Sequence, residues 1–316
     1  MQVNTIDQVI ENEFALYNGD CVEVARGLPD NSIHYSVFSP PFASLYTYSN
    51  SDRDMGNCQS NDEFFEHFKF MIRELFRITI PGRLVTFHCM DIPAMKSRDG
   101  YIGIKDFPAQ LRQAFEDEGF IWHSKVVIWK DPLVEATRTK ALGLMHKQLM
   151  KDSSMCRQGL PDYILTMRKP GDNPEPIVHP DGMVRFFGEN EPGGETVYSH
   201  QVWRKYASPV WMDIRQSNTL QYRSAREEKD ERHICPLQLD VIARAVELWS
   251  NPNDIVFSPF AGIGSEGYQA IKMGRRFVGV ELKDSYFRIA VNNLKMATQE
   301  ASDSLLAQKE FDDMMT

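Results

Sequence analysis

The 316-residue sequence has no run approaching 18 uninterrupted apolar residues, so no transmembrane helix is expected. Its opening, Met1 to Asp7, has neither the basic nor the apolar region of a signal peptide, and the expected location is the cytoplasm. The five cysteines (Cys21, Cys58, Cys89, Cys156 and Cys235) are scattered, odd in number and form no CxxC pair. That pattern offers neither a disulfide framework nor a zinc signature; reduced thiols and no metal are the expectation. Internal repeats are absent. Positive charge is also short: the net charge is −9, which argues at first against a nucleic-acid partner. Whole-chain charge misleads when basic residues cluster, and here they do. From Thr137 to Lys169 seven basic residues face only Asp152 and Asp162, a local excess of +5.

What is present is an ordinary globular balance, 42% apolar and 25% charged, with length for one large α/β domain carrying an insertion. Phe14 to Tyr17 reads as a strand, Val22 to Leu28 as a brief helix and Ile33 to Phe38 as a buried strand. Asn61-Asp62 is placed to cap a helix running to Ile78, whose apolar residues recur at helical spacing. Pro81-Gly82 is expected to break that helix before a strand at Arg83 to His88. Helix at Ala109 to Glu118 and strand at Phe120 to Lys130 complete a β-α-β-α-β pattern, the mark of a parallel sheet. Residues 131 to about 230 lose this periodicity. It returns with a helix from Pro236, strands at Asp254 to Phe257 and Arg276 to Val280, and a last helix from Asp284 to Ala297. The expected division is a catalytic and cofactor-binding domain in two pieces, 1–130 and 228–300, a target-recognition region at 131–227, and a frayed acidic tail at 301–316.

Two segments carry chemistry. Ser39-Pro40-Pro41-Phe42 follows the strand at 33–38; two prolines end the ladder and leave a rigid turn. That turn holds a hydroxyl, a fixed carbonyl and an aromatic ring at a strand's carboxyl end, where ligands bind in open α/β sheets. The second segment, Ser258-Pro259-Phe260-Ala261-Gly262-Ile263-Gly264-Ser265-Glu266-Gly267, fits GxGxxG between a strand and a helix. Glu281 follows the next strand, 19 residues after Gly262, placed to accept ribose hydroxyls. This loop points to an adenosine-containing cofactor without separating a dinucleotide from S-adenosylmethionine.

Taken together the two segments resemble those of DNA amino-methyltransferases, which carry an (Asp/Asn/Ser)-Pro-Pro-(Tyr/Phe/Trp) tetrapeptide and a Phe-x-Gly-x-Gly loop. The catalytic segment precedes the cofactor segment, similar to the permuted beta group. Asn18-Gly19-Asp20 resembles the segment whose acid meets the cofactor's adenine. His233 to Gln238 resembles the segment that packs on its methionine moiety.

The resemblance implies a Rossmann-like S-adenosylmethionine-dependent methyltransferase fold with circularly permuted motif order and an inserted target-recognition region. It implies Ser39, Pro40, Pro41 and Phe42 as catalytic residues. It implies Asp20, Ser258, Phe260, Ala261, Gly262, Gly264, Glu281, His233 and Pro236 as cofactor contacts. The substrate would be double-stranded DNA, with a homodimer and a restriction endonuclease as further candidate partners. Arg138, Lys140, Lys147, Lys151 and Arg157 are the expected phosphate contacts. Ser at the first catalytic position leans toward cytosine N4 over adenine N6. No catalytic His or Glu is expected, since the methylated ammonium is itself very acidic. One departure stands out: the family's loop usually begins Asp-Pro-Phe, and here Ser258 replaces the acid. An NAD(P)-dependent oxidoreductase and a catalytically idle DNA-binding protein are the competing readings.

Overall fold

The computed structural model describes residues 5–42, 58, 60–139, 143–179, 194–221 and 236–315. The chain begins with β1 (Asp7–Ile10), β2 (Phe14–Asn18), α1 (Cys21–Arg26) and β3 (Ile33–Phe38). Next come α2 (Asn61–Ile78), β4 (Thr79–Met90), β5 (Ile92–Ala94), α3 (Lys96–Asp99), β6 (Gly103–Lys105) and α4 (Phe107–Asp117). Then follow β7 (Ile121–Ile128), α5 (Pro132–Thr139), α6 (His146–Leu149), β8 (Asp162–Arg168), α7 (Gly194–Ala207) and β9 (Val210–Trp211). The chain closes with α8 (Leu239–Trp249), β10 (Ile255–Ser258), α9 (Ser265–Lys272), β11 (Arg276–Glu281) and α10 (Asp284–Met315).

Among the described residues nine strands form one sheet in the order β1-β2-β11-β10-β3-β4-β8-β7-β9, and β5 pairs with β6 apart from it. From β2 to β4 every pairing is parallel. β8 runs antiparallel to both neighbours, β4 and β7. The core lies in two layers. Helices α8, α9 and α10 bury Val241, Ile242, Ala270, Ile271, Ala290 and Leu294 against one face. Helices α1, α2 and α4 bury Val24, Phe64, Phe68, Met71, Leu111 and Phe115 against the other. Each such large apolar side chain contributes about 1.5–3 kcal/mol of burial, so these two layers hold the sheet edge rigid enough to carry a site.

Several expectations shift. α2 is capped by Ser60, whose hydroxyl accepts from Glu63 N at 3.1 Å, rather than by Asn61-Asp62. Pro81-Gly82 does not terminate α2, which ends at Ile78; it lies inside β4. Gly82 adopts φ +75°, and a Cβ there would sit 2.6 Å from Asn173 N, so glycine is the residue that fits. The bulge appears in the register, where Ile33 faces Thr79 but Tyr35 faces Leu84. The segment 131–227 is not wholly an insertion, because β8 and β9 belong to the main sheet. β8 is buried on both faces, and a strand without a wet face has no alternation to read. Residues 301–315 continue α10 instead of fraying. Ser302 Oγ donates to Thr298 O and Gln299 Nε2 to Asp303 Oδ1, which supports the added turns. Among the described residues no helix is long and apolar enough to cross a membrane.

Candidate active site at the carboxyl edge of the sheet

The strand order reverses between β10 and β3, and ligands of open α/β sheets bind at such a crevice. Read across the sheet, the carboxyl ends present Asp20 after β2, Glu281 on β11, Ser258 and the glycine loop on β10, then Ser39 after β3. Three inter-strand spacings separate Asp20 from Ser39, about 14 Å. Ser258 and the glycine loop, more than 200 residues from the Ser39 turn in sequence, thereby become its neighbours.

The cofactor side is tightly tied. Gly19 N donates to Glu281 O at 3.1 Å, and buried Asn18 Nδ2 donates to Glu281 O at 2.8 Å and Leu282 O at 3.1 Å. Asp20 caps α1, its Oδ1 accepting from Val22 N and Glu23 N. Glu281 Oε2 accepts from Gly262 N at 2.8 Å and Oε1 from Lys283 N at 2.8 Å, so its carboxylate pins the glycine loop from beneath. Gly262 has φ +54° and nothing within 4 Å of where a Cβ would stand, leaving open space over the loop. Gly267 is needed for a different reason: a Cβ would meet Phe277 Cδ1 at 2.4 Å, so it lets α9 close onto β11. Ser258 is fully buried and among the described residues its hydroxyl has no hydrogen-bond partner; the same lack of a partner holds for Gln238 Oε1 at the start of α8. Buried polar atoms without partners are costly unless something completes them. An open backbone cradle, a ribose-compatible acid and two unanswered polar atoms together suit an adenosine-bearing cofactor. Ala261 is buried, its N bonded to Val280 O at 2.8 Å, and Pro236 is half-buried ahead of α8. His233 lies outside the described residues.

The catalytic side adjoins it. Phe260, from the glycine loop, meets Phe38 edge-on at 5.8 Å between centroids, and Phe38 immediately precedes Ser39. The two motifs are therefore joined through aromatic packing. Pro40 is buried; Ser39, Pro41 and Phe42 are half-buried, and the Phe42 ring lies 6.1 Å from Phe107. Tyr46 and Tyr48, the aromatic residues that follow this turn in sequence, lie outside the described residues.

Three side chains that the sequence reading missed form a chain of contacts leading from Ser39. His88 Nδ1 lies 3.2 Å from Ser39 Oγ. His88 Nε2 lies 3.1 Å from Asp162 Oδ2, and Lys130 Nζ contacts Asp162 Oδ1. Asp162 is buried, yet His88 and Lys130 beside it outweigh desolvation and hold its carboxyl down to about 2. The direction of the Ser39–His88 bond follows the ring's protonation: a neutral ring with its proton on Nε2, toward Asp162, accepts from the Ser39 hydroxyl, and a protonated ring donates to it. A histidine at the end of the strand beside the catalytic one was the available signal. Asp162 had none, since it opens a strand in the aperiodic region.

The expected phosphate contacts divide. Lys147 and Lys151 are exposed. Arg157 departs from the expectation: its side chain is only 10% exposed and pairs with buried Glu135 at 3.2 Å, a structural link. Arg138 lies on α5 with its side chain outside the description, and Lys140 lies outside the described residues.

At the opposite, amino edge, His34, Glu175 and Asp254 cluster closely enough to suggest a metal. His34 Nδ1 accepts from Ile255 N at 3.2 Å, so Nε2 carries the proton and faces Glu175 at 3.3 Å. Fully buried Arg83 supplies the cation, 2.8 Å from Asp254. The cluster is an ion network, not a set of open metal ligands.

Comparison with known proteins agrees with this geometry. The DNA methylase family model, of N6/N4 methyltransferases, matches residues 33–292. A type II methyltransferase, M.BglII of Bacillus subtilis, is 25% identical over 280 residues, covering 87% of this chain and 67% of that protein. The cytosine-N4-specific PvuII DNA methyltransferase superposes with a TM-score of 0.62 at 14% identity, covering 95% of this chain and 94% of that one. TTHA0409 of Thermus thermophilus, a suspected DNA modification methylase complexed with S-adenosyl-L-methionine, gives 0.62 at 21% identity, with 90% and 95% covered. The fold is that of these methyltransferases, and the family match spans most of the sequence: this chain belongs to the DNA methylase family.

Proposed function

We propose that the chain methylates double-stranded DNA at the exocyclic amino nitrogen of cytosine, N4, with S-adenosylmethionine as methyl donor. The observation that carries this reading is the junction of the Ser39 turn with the glycine loop through Phe38 and Phe260. It sets an amine-binding turn beside a nucleoside-binding edge.

When bound, S-adenosylmethionine supplies an electrophilic methyl group; the remaining tasks fall to protein side chains. Glu281 and Asp20 are placed for the ribose and adenine, and the open face of Gly262 admits the nucleoside. The amino nitrogen of a base is a poor nucleophile because its lone pair is conjugated with the ring. Holding both N–H bonds draws that nitrogen toward tetrahedral geometry. The Pro40 carbonyl accepts one, fixed by its proline φ. Ser39 Oγ accepts the other when the neutral His88 ring takes the hydroxyl hydrogen at Nδ1, 3.2 Å away. After transfer the surplus proton has a route from nitrogen through Ser39 to His88, with Asp162 stabilising the imidazolium. The base must leave the duplex to reach this turn, and Phe42 can stack on it for about 1–3 kcal/mol. Lys147 and Lys151, with Arg138 and Lys140, are the proposed phosphate contacts. A restriction endonuclease and a second copy of the chain are the protein partners this reading carries.

Ser39 supports cytosine because a neutral hydroxyl occupies the first catalytic position, as it does in the cytosine-N4 branch of the resembled family. Methylated plasmid DNA digested to nucleosides and resolved by mass should contain N4-methylcytosine. Detection of N6-methyladenine alone would move the reaction to adenine.

A further inference from the structure

We infer that Glu266 supplies the negative charge that receives the cofactor's α-ammonium group, the task Ser258 cannot perform. The inference rests on the reading of this edge as an S-adenosylmethionine site. Ser258 stands at the end of β10, fully buried, with an uncharged hydroxyl that has no partner among the described residues. Eight residues on, Glu266 lies in the first turn of α9, the helix that springs from the glycine loop, and is only 4% exposed. Among the described residues no Lys, Arg or His pairs with it. The elements packed against α9 are β10, β11, α8 and α10. From these the charged group acting on Glu266 is another acid, Glu281 of β11.

A carboxylate shut away from water beside a second carboxylate lacks a counter-ion. Burial and Glu281 push the Glu266 carboxyl up to about 8, so the free protein holds it as the neutral acid at pH 7. A structural role alone would be met by any neutral hydrogen-bonding group, glutamine included. A carboxylic acid kept at the end of a cofactor cradle that has lost its usual acid fits an arriving cation. The exchange balances: the Glu266 carboxylic acid and the ligand ammonium become an ion pair, and one proton passes to solvent.

S-adenosylhomocysteine tests this because it carries the α-ammonium without the sulfonium. Its binding to the full chain is measured by calorimetry in two buffers of different ionisation enthalpy. At pH 6.5, where the ligand amine is almost fully charged, close to one proton should be released per site. Affinity should rise nearly tenfold per pH unit below about 7, then flatten as pH nears 8, where Glu266 no longer has a proton to lose and the ligand ammonium begins to lose its charge. Glu266→Gln should release no proton and bind about 10- to 100-fold more weakly, the loss of a charge-assisted bond. Adding Ser258→Asp to that variant should restore affinity to within a few-fold.

Wild-type binding without proton release overturns the inference, as does a Glu266→Gln variant that releases the same proton. If Glu266→Gln fails to fold, the wild-type proton count and pH slope still decide. Absence of any wild-type binding overturns the cofactor reading itself, a distinct result.

Discussion

The same two strands, β3 and β10, end in opposite kinds of chemistry. At their amino ends the Arg83 cation lies within 4.0 Å of both Asp254 and Glu175, and His34 bridges the same two acids, although Arg83 Nε and Nη1 have no hydrogen-bond partner among the described residues. At their carboxyl ends, among the described residues, Ser258 is buried without a partner, Glu266 is buried without a cation, and nothing stands within 4 Å of a Cβ placed on Gly262. Charge that is answered inside the fold serves the fold. Polarity left unanswered in a rigid frame is what a ligand completes. The contrast separates a structural cluster from a site more surely than residue type does, since both ends hold histidine and acid.

Three perturbations bear on that contrast. Asp254→Ala should cost most, about 3–5 kcal/mol of stability, because it strands the buried Arg83 guanidinium. Urea unfolding reads the loss, while the protein that remains folded should bind S-adenosylhomocysteine as before; weakened binding at unchanged stability would erase the distinction between the two edges. Ser39→Ala should do the converse. Single-turnover methyl incorporation should fall by about 10²–10³-fold, equivalent to about 3–4 kcal/mol of transition-state stabilisation. Its melting temperature and S-adenosylhomocysteine affinity should be unaltered.

The smallest effect belongs to Asp162, which serves both stability and site. Its folded carboxyl sits at about 2, below its ordinary 3.8, so it contributes stability above pH 4 that is lost as pH falls toward 2. That contribution is about 2 kcal/mol at neutral pH. Thermal melts of Asp162→Asn should lose this acid limb; a limb that persists would mean that His88 and Lys130 do not hold the charge.

The parts legible in the sequence were those encoded locally. The proline pair fixes its own turn, the glycines fix their own loop, and Glu281 is found by counting to the end of the next strand. The parts not legible depend on who meets whom across the sheet. His88 reads as a routine strand residue until β3 and β4 are paired with Phe38 opposite Phe87. Asp162 reads as loop until β8 is seen to slot between β4 and β7. Arg157 reads as a phosphate contact until Glu135, 22 residues away, claims it. Glu266 was in view as one letter of the glycine motif, but only burial distinguishes an acid without a cation from a solvated one.

The position of β10 has a consequence for how the chain is born. This strand lies between β3 and β11, and its backbone bonds to His34 across 221 residues of sequence. On the ribosome the Ser39 turn emerges long before the strand that must sit beside it. Until β10 arrives, β3 presents an open edge that another chain can pair with. Such long-range closure folds slowly and exposes aggregation-prone edges meanwhile. The order of the motifs thus makes assembly of the active edge a late act of synthesis, and the arrival of β10 and β11 a condition for cofactor capture.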